Sequence, residues 1–388
     1  MALPKDRKNN YSRKVVEERA QYLARYSNSE LKYLHNSEID PNLAKGNIEN
    51  IIGFAQVPVG VAGPLKINGQ HAKGEFYVPM STTEGALLSS YNRGARAATL
   101  SGGINVIVTN DSMQRAPYFI LENVFKAGEF VNWFGDNLDS VKKIVKTTSS
   151  HADLQNYKTY IQGRIVYMRL AFSTGDAMGM NMITKACNEI CEYIKNNFPV
   201  LDYALESNMA VDKKPSHINT ILGRGKTVTA EILLQEKLLS RYMRTTAQKI
   251  DMAYHRQVTG GQLAGVLGSN GHVANGVAAI FLACGQDMAN ISESCSGYIY
   301  TETIGNDLYV SLHMPSVVIG TVGGGVSLPT QKECLKMIDC YGRDKVKKFA
   351  EIICATVLAG ELSLAAAIVA GDFVTAHEKY GRNKPKEE

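Results

Sequence analysis

The chain is poor in several features, and each shortage narrows what it does. It has seven cysteines, an odd count, and no two of them form a CxxC pair. Cys187 and Cys191 lie four apart, the spacing of one helix face rather than of a zinc ribbon. Thiols without a disulfide framework imply a reducing, cytosolic compartment in which they are buried. The net charge is only +5 over 388 residues. No basic run is interleaved with aromatics, which argues against nucleic acid and leaves room for an anionic small ligand. The N-terminus, Met1-Ala2-Leu3-Pro4-Lys5-Asp6, is polar and lacks the apolar stretch of a secretory signal. The longest stretch without Asp, Glu, Lys or Arg runs from Gln257 to Gln286, and Ser269-Asn270-Gly271-His272 splits it. The apolar run Ile352 to Val374 is broken by Glu361 and Asp372. Both read as buried core helices, the first from about Gly271, and not as membrane spans.

What is present describes an ordinary globular protein: 45% hydrophobic and 20% charged residues, in a chain long enough for two or three cores. Residues 1–48 read as a small helical N-terminal region. From Glu49 the density of proline and glycine marks turns and extended segments. Asn68-Gly69 predicts a hairpin turn and Phe76 to Met80 a strand. Ser81-Thr82-Thr83-Glu84-Gly85 predicts a helix start, with Glu84 as a capping carboxylate in the plain reading. Ile104, Val106 and Val108 alternate as a strand that ends at Asp111 to Arg115, and a new unit begins near Ala116. There, Pro117–Glu122, Val166–Phe172 and Leu201–Leu205 read as strands, and Phe125–Val145 and Asn181–Phe198 as helices. Strand–helix–strand–helix–strand over 116–206 is a ferredoxin-like α/β unit, inserted into a larger domain made of 49–115 and 207–388. Gln235 to Tyr254 reads as one amphipathic helix. The fold class is therefore α+β.

Two stretches draw attention to chemistry. The turn Ser173 to Met182 feeds a helix N-terminus, where free N–H groups favour a phosphate, although it is not a GxGxxG fingerprint and a plain strand–helix turn explains it equally. Asp212-Lys213-Lys214-Pro215-Ser216 places two lysines on an extended or turn segment, since proline bars the helical region to Lys214. Such lysines are either solvated charges or cations aimed at a developing oxyanion.

Taken in order, Glu49–Gly53 (ENIIG), Pro58–Leu65 (PVGVAGPL), Ser81–Gly85 (STTEG), Gly175–Met182 (GDAMGMNM), Asp212–Ser216 (DKKPS), Gly223–Lys226 (GRGK) and Ala283–Asp287 (ACGQD), with a histidine in the tail, resemble the hydroxymethylglutaryl-coenzyme A (HMG-CoA) reductase family. The likeness is to the class shared by eukaryotes and archaea, without its membrane anchor. It implies a large domain around a long buried central helix, with the inserted unit as a dinucleotide-binding domain. It also implies a homodimer or dimer of dimers with active sites at the interface, and no membrane partner. The implied reaction reduces (S)-HMG-CoA to (R)-mevalonate and coenzyme A with two hydrides from NADPH or NADH. Lys213 then matches the catalytic cation, Glu84 the general acid/base, Asp287 the carboxylate that tunes both, and His377 the proton donor to the coenzyme A thiolate. Arg115, Asp212, Lys214 and Asn275 match acyl-pocket positions. Arg256 falls where relatives have a lysine, and Ser207 one position from the family's serine. Arg93 and Arg96 match coenzyme A contacts. Asp176, Met178, Gly179, Met180, Asn181 and Arg382 match dinucleotide contacts. No metal is implied.

Two departures stand out. The stretch that carries a Ser-Arg pair for the 2′-phosphate in NADPH-using relatives is here Ser149-Ser150-His151-Ala152-Asp153. Its aspartate would repel a phosphate and accept from a ribose hydroxyl, which predicts a weakened preference for NADPH. Asn383 stands where the eukaryotic family has a regulatory serine. Oxidation of mevalonate by the same residues, or a non-catalytic sensor of coenzyme A or dinucleotide, are the competing readings.

Overall fold

The structure, a computed structural model, describes residues 3–34 and 37–371. His377, Arg382 and Asn383 lie outside the described residues. The N-terminal region folds as α1 (Arg13–Ser27), started by Ser12, whose hydroxyl accepts from Val15 N.

β1 (Val59–Gly69) and β2 (Lys73–Ser81) form a hairpin. Its turn is not at Asn68-Gly69 as the dipeptide predicts, because Asn68 pairs with Lys73 inside the ladder. The turn falls on Gln70 to Ala72, whose three N–H groups all donate to the carboxylate of Glu351 at 2.6–3.2 Å. A buried carboxylate on a distant element outweighs the local turn preference.

α2 (Leu87–Leu100) follows. β3 (Ile104–Arg115) ends at Arg115, inside the expected stretch Asp111 to Arg115. It pairs in parallel with β1, then antiparallel with β8, and its last residues, Met113 to Arg115, pair with β6 of a second sheet. Here β8 is Gly225–Leu234 and β6 is Ile165–Ser173. The inserted unit adds β4 (Tyr118–Ile120), α3 (Val124–Asp136), α4 (Leu138–Thr148), β5 (Asp153–Gln162), α5 (Met180–Asn197) and β7 (Asp202–Ala204). Its sheet order is β7-β4-β6-β5, all antiparallel, the ferredoxin-like arrangement. Two local expectations fail in this unit. The helix expected over Phe125–Val145 is two helices joined at Asn137. β5 has no counterpart in the sequence reading, because this edge strand pairs only with β6 and buries little besides Leu154.

The chain returns through α6 (His217–Leu222) to β8. The helix expected over Gln235–Tyr254 is interrupted. A short α7 (Glu236–Leu238) and a π-helical turn end at Arg244, which has φ +54°, and α8 (Ala247–Ala264) begins afresh behind the Thr246 cap. α9 (Val273–Ala283), α10 (Ile291–Ser294), β9 (Tyr298–Ile304), β10 (Asp307–Val317), α11 (Pro329–Met337) and α12 (Val346–Ala370) complete the chain. The larger sheet runs β2-β1-β3-β8-β10-β9.

α12 is the central helix. By length and composition it could cross a membrane, yet nearly all of it is buried in the fold. α2 packs on it closely enough that a Cβ on Gly94 would meet the Ala359 carbonyl oxygen at 1.8 Å. Its buried Glu361 accepts from Gly271 N, His272 N and His272 Nδ1 at 2.6–2.8 Å and so fixes the start of α9. A carboxylate in so apolar a helix is tolerable because N–H groups satisfy it.

Candidate active site

The loop after β7 holds an unusual backbone. Asn208, Val211 and Lys213 have φ of +71°, +53° and +58°. For branched Val211 this is a strained conformation, of the kind that concentrates at functional sites. At its end Lys213 Nζ lies 2.8 Å from Asp287 Oδ2 of the same chain, both side chains part-exposed. The hydrogen bond that Lys213 donates to Asp287 raises the Lys213 pKa, so Lys213 is a cation throughout the neutral range. Asp287 also accepts from Ala289 N at 3.0 Å, which fixes its carboxylate.

Under this loop lies a buried network that sequence reading missed. Arg224, fully buried, donates to Asp212 Oδ1 at 2.7 Å, to Glu293 Oε1 and to Met180 Sδ. Glu293 on α10 also accepts from the Lys213 backbone N–H at 3.3 Å. Burial drives the Glu293 carboxyl up to about 7, against the pull of Arg224. Arg224 falls within the GRGK motif of the resemblance, but nothing in Ile291-Ser292-Glu293-Ser294 distinguishes Glu293 from a surface glutamate.

Glu84 and Asn275 form a second group. Glu84 lies exposed in the turn before α2, and its Oε2 accepts from Asn275 Nδ2 at 2.7 Å. Asn275 is in the first turn of α9, whereas Asp287 lies beyond its last residue. Helix rise alone sets these apart by roughly 12 Å before the turn is added. α12 provides a second measure. Asp176 accepts from Asp344, Lys345 and Val346 N–H at 2.8–3.1 Å, so the 173–178 turn sits at the start of α12. Met178 of that turn meets Asn290 beside Asp287. Glu361, which holds the Asn275 end of α9, is about 22 Å further along α12. The Lys213–Asp287 and Glu84–Asn275 groups thus lie at opposite ends of α9.

Several other candidates have internal partners. Arg115 donates to Thr184 Oγ1 at 3.0 and 2.8 Å and pairs with Glu206 at 3.1 Å. Ser207 donates to the Ala116 carbonyl at 2.7 Å. Lys214 donates to Asn208 Oδ1 and the Asp212 carbonyl. Arg93 donates to Ser363 on α12, and Arg96 stacks over Tyr242. Arg256 lies exposed within α8, which runs unbroken through Gly260-Gly261.

At the dinucleotide turn, Gly179 has φ +86° and a Cβ there would strike Thr174, so glycine is required to enter α5. α5 has no side-chain cap, leaving the N–H groups of Met180, Asn181 and Met182 as an anion site. Ser149 donates to Met182 Sδ at 3.0 Å, which brings the 149–153 stretch to this helix start. Ser150 meets the His151 ring at 3.1 Å. Asp153 pairs with Lys146 at 3.1 Å, so its charge is partly offset.

The family described as Hydroxymethylglutaryl-coenzyme A reductase matches residues 15–382. The 3-hydroxy-3-methylglutaryl-coenzyme A reductase of Aeropyrum pernix is 46% identical over 370 residues, covering 93% of this chain and 88% of its own. That of Pyrococcus abyssi is 46% identical over 384 residues, covering 96% and 94%. Among solved structures, the class II enzyme of Streptococcus pneumoniae, bound to NADPH in open conformations, superposes with a TM-score of 0.69 at 18% identity. That superposition covers 91% of this chain and 97% of that one, a likeness of fold.

Proposed function

The chain belongs to the hydroxymethylglutaryl-coenzyme A reductase family, and from that premise we propose how its own residues carry out the reaction and why one copy is not enough. It reduces HMG-CoA to mevalonate and coenzyme A, the step of the mevalonate pathway that consumes a nicotinamide dinucleotide. When bound, the dinucleotide supplies the hydrides. The uncapped start of α5, with Gly179, Met180 and Asn181, suits its diphosphate, and the inserted unit 116–206 serves as its domain. Each hydride addition places negative charge on a carbonyl oxygen. Lys213, held by Asp287, offers a fixed cation to that oxygen and stabilises charge present mainly in the transition state. Glu84, oriented by Asn275, carries the proton that the alkoxide needs. His377 protonates the departing thiolate, a task for which imidazole is suited near neutral pH.

The separation of the two groups is the observation that carries this reading. Glu84 is on the order of 15–20 Å from Lys213 by the helix rulers, too far for both to touch one carbonyl. A homodimer that joins the Lys213–Asp287 end of one copy to the Glu84–Asn275 end of another completes the site. The seven free cysteines suit a reducing cytoplasm.

An absorbance assay at the nicotinamide band with HMG-CoA, run with NADPH and with NADH, tests the reaction and the cofactor preference together. Lys213→Ala should lower kcat by about 10²- to 10³-fold, the scale of losing a charge-stabilising donor, with an unchanged circular dichroism spectrum. Near-wild-type kcat in that variant would reject the oxyanion role.

A further inference from the structure

Arg224 touches three separate parts of the fold. Its guanidinium reaches the start of α5 through Met180, the Asp212-Lys213 loop through Asp212, and α10 through Glu293. Glu293 returns to the same loop by accepting from the Lys213 N–H at 3.3 Å. Both side chains are about 1% exposed or less, so neither meets substrate from solvent. A buried ion pair contributes little net stability, because its desolvation offsets its attraction. What such a pair does supply is geometry: a planar fork fixes angles as well as distances. The geometry is needed here, since Lys213 sits at φ +58° two residues after strained Val211. Left to itself the loop would relax toward ordinary backbone, and Nζ would move off Asp287.

We propose that Arg224 and Glu293 are positioning residues for the reduction, which hold the Lys213 ammonium in place and tie the loop to the dinucleotide-binding helix start. The proposal rests on the reductase reading. Only an ionised Glu293 pairs fully with Arg224. The charged groups facing it are Arg224 and Asp212, the Lys213 backbone N–H donates to it, and Arg169 of β6 lies close enough to Arg224 for the two charges to interact. As pH falls through about 7, Glu293 takes up a proton and its grip on Arg224 weakens.

The wild type is first assayed for HMG-CoA reduction; an inactive wild type rejects the reductase reading and not the positioning one. Arg224→Lys and Glu293→Gln are then compared with it. We expect kcat to fall 10- to 100-fold in Arg224→Lys and several-fold in Glu293→Gln, with KM for the dinucleotide changed less than threefold. The isotope effect with 4-deuterated dinucleotide should rise as the hydride step becomes limiting, and the acid limb near pH 7 should disappear in Glu293→Gln. Without any ligand, acetic anhydride should label Lys213 several-fold faster in both variants. A merely structural pair would lower the melting temperature and the active fraction together, leaving isotope effect, pH limb and labelling rate at wild-type values, and that result overturns the proposal. If Arg224→Lys does not fold, Glu293→Gln, which keeps an acceptor of the same size, decides alone.

Discussion

Asp176 shows how one residue type serves two readings. Its place in Gly175-Asp176-Ala177-Met178 marks it as a cofactor contact by resemblance, yet in the structure its carboxylate receives three backbone N–H groups at the start of α12. No sequence window contains both partners, which are about 170 residues apart. A cap with three charge-assisted bonds exceeds an ordinary one. Asp176→Ala should therefore cost about 2 kcal/mol, read as a lower urea midpoint at an unchanged slope, even with no dinucleotide present. Loss of cofactor affinity without loss of stability would make the contact role the dominant one. Lys213 and Glu84 are different. Their chemistry was legible from the ordered motifs, because each needs only its own residue type. Their orienting partners, Glu293 for the Lys213 backbone and Asn275 for Glu84, come from remote elements.

Among the elements, α12 and β3 organise everything else. α12 carries Glu351 to the β1–β2 turn and Glu361 to the start of α9, and it admits α2 at a glycine contact. Gly94→Val should wedge α2 from α12 and shift Glu84, which lies just before α2. A cost of about 3 kcal/mol or more is expected, seen as a lowered melting temperature together with lowered kcat. A variant that melts like wild type would show that α2 slides freely on α12. β3 runs on through polar Asp111 and Ser112 to Arg115, because pairing passes from one sheet to the other there. β5 was invisible, since an edge strand needs little apolar patterning. The break at Arg244 has no proline or glycine near it to announce it, whereas Gly135-Asp136-Asn137 carries a break signal for the one at Asn137.

At the scale of the molecule, the proposed sharing of one site between two copies makes a simple prediction. Lys213→Ala and Glu84→Gln should each be inactive alone. Produced together, the two chains form hybrid dimers in which one site receives both intact groups and the other receives neither. Random assortment then restores about a quarter of wild-type activity. No recovery above the single variants, in dimers shown to be mixed, would mean that each chain builds its own site.

The sequence by itself determined the α+β class, the family and the reaction that the family implies, because those depend on residue type and on motif order along the chain. It also determined that α12 is a core helix, since Glu361 interrupts an otherwise apolar run. Only the tertiary structure decided where the hairpin turns, which carboxylates serve as caps, what contacts the strained Lys213 loop, and that Glu84 and Lys213 lie by opposite ends of α9. Each of these depends on a partner that folding brings in from far along the chain, and burial makes those contacts stronger than the local preferences they override.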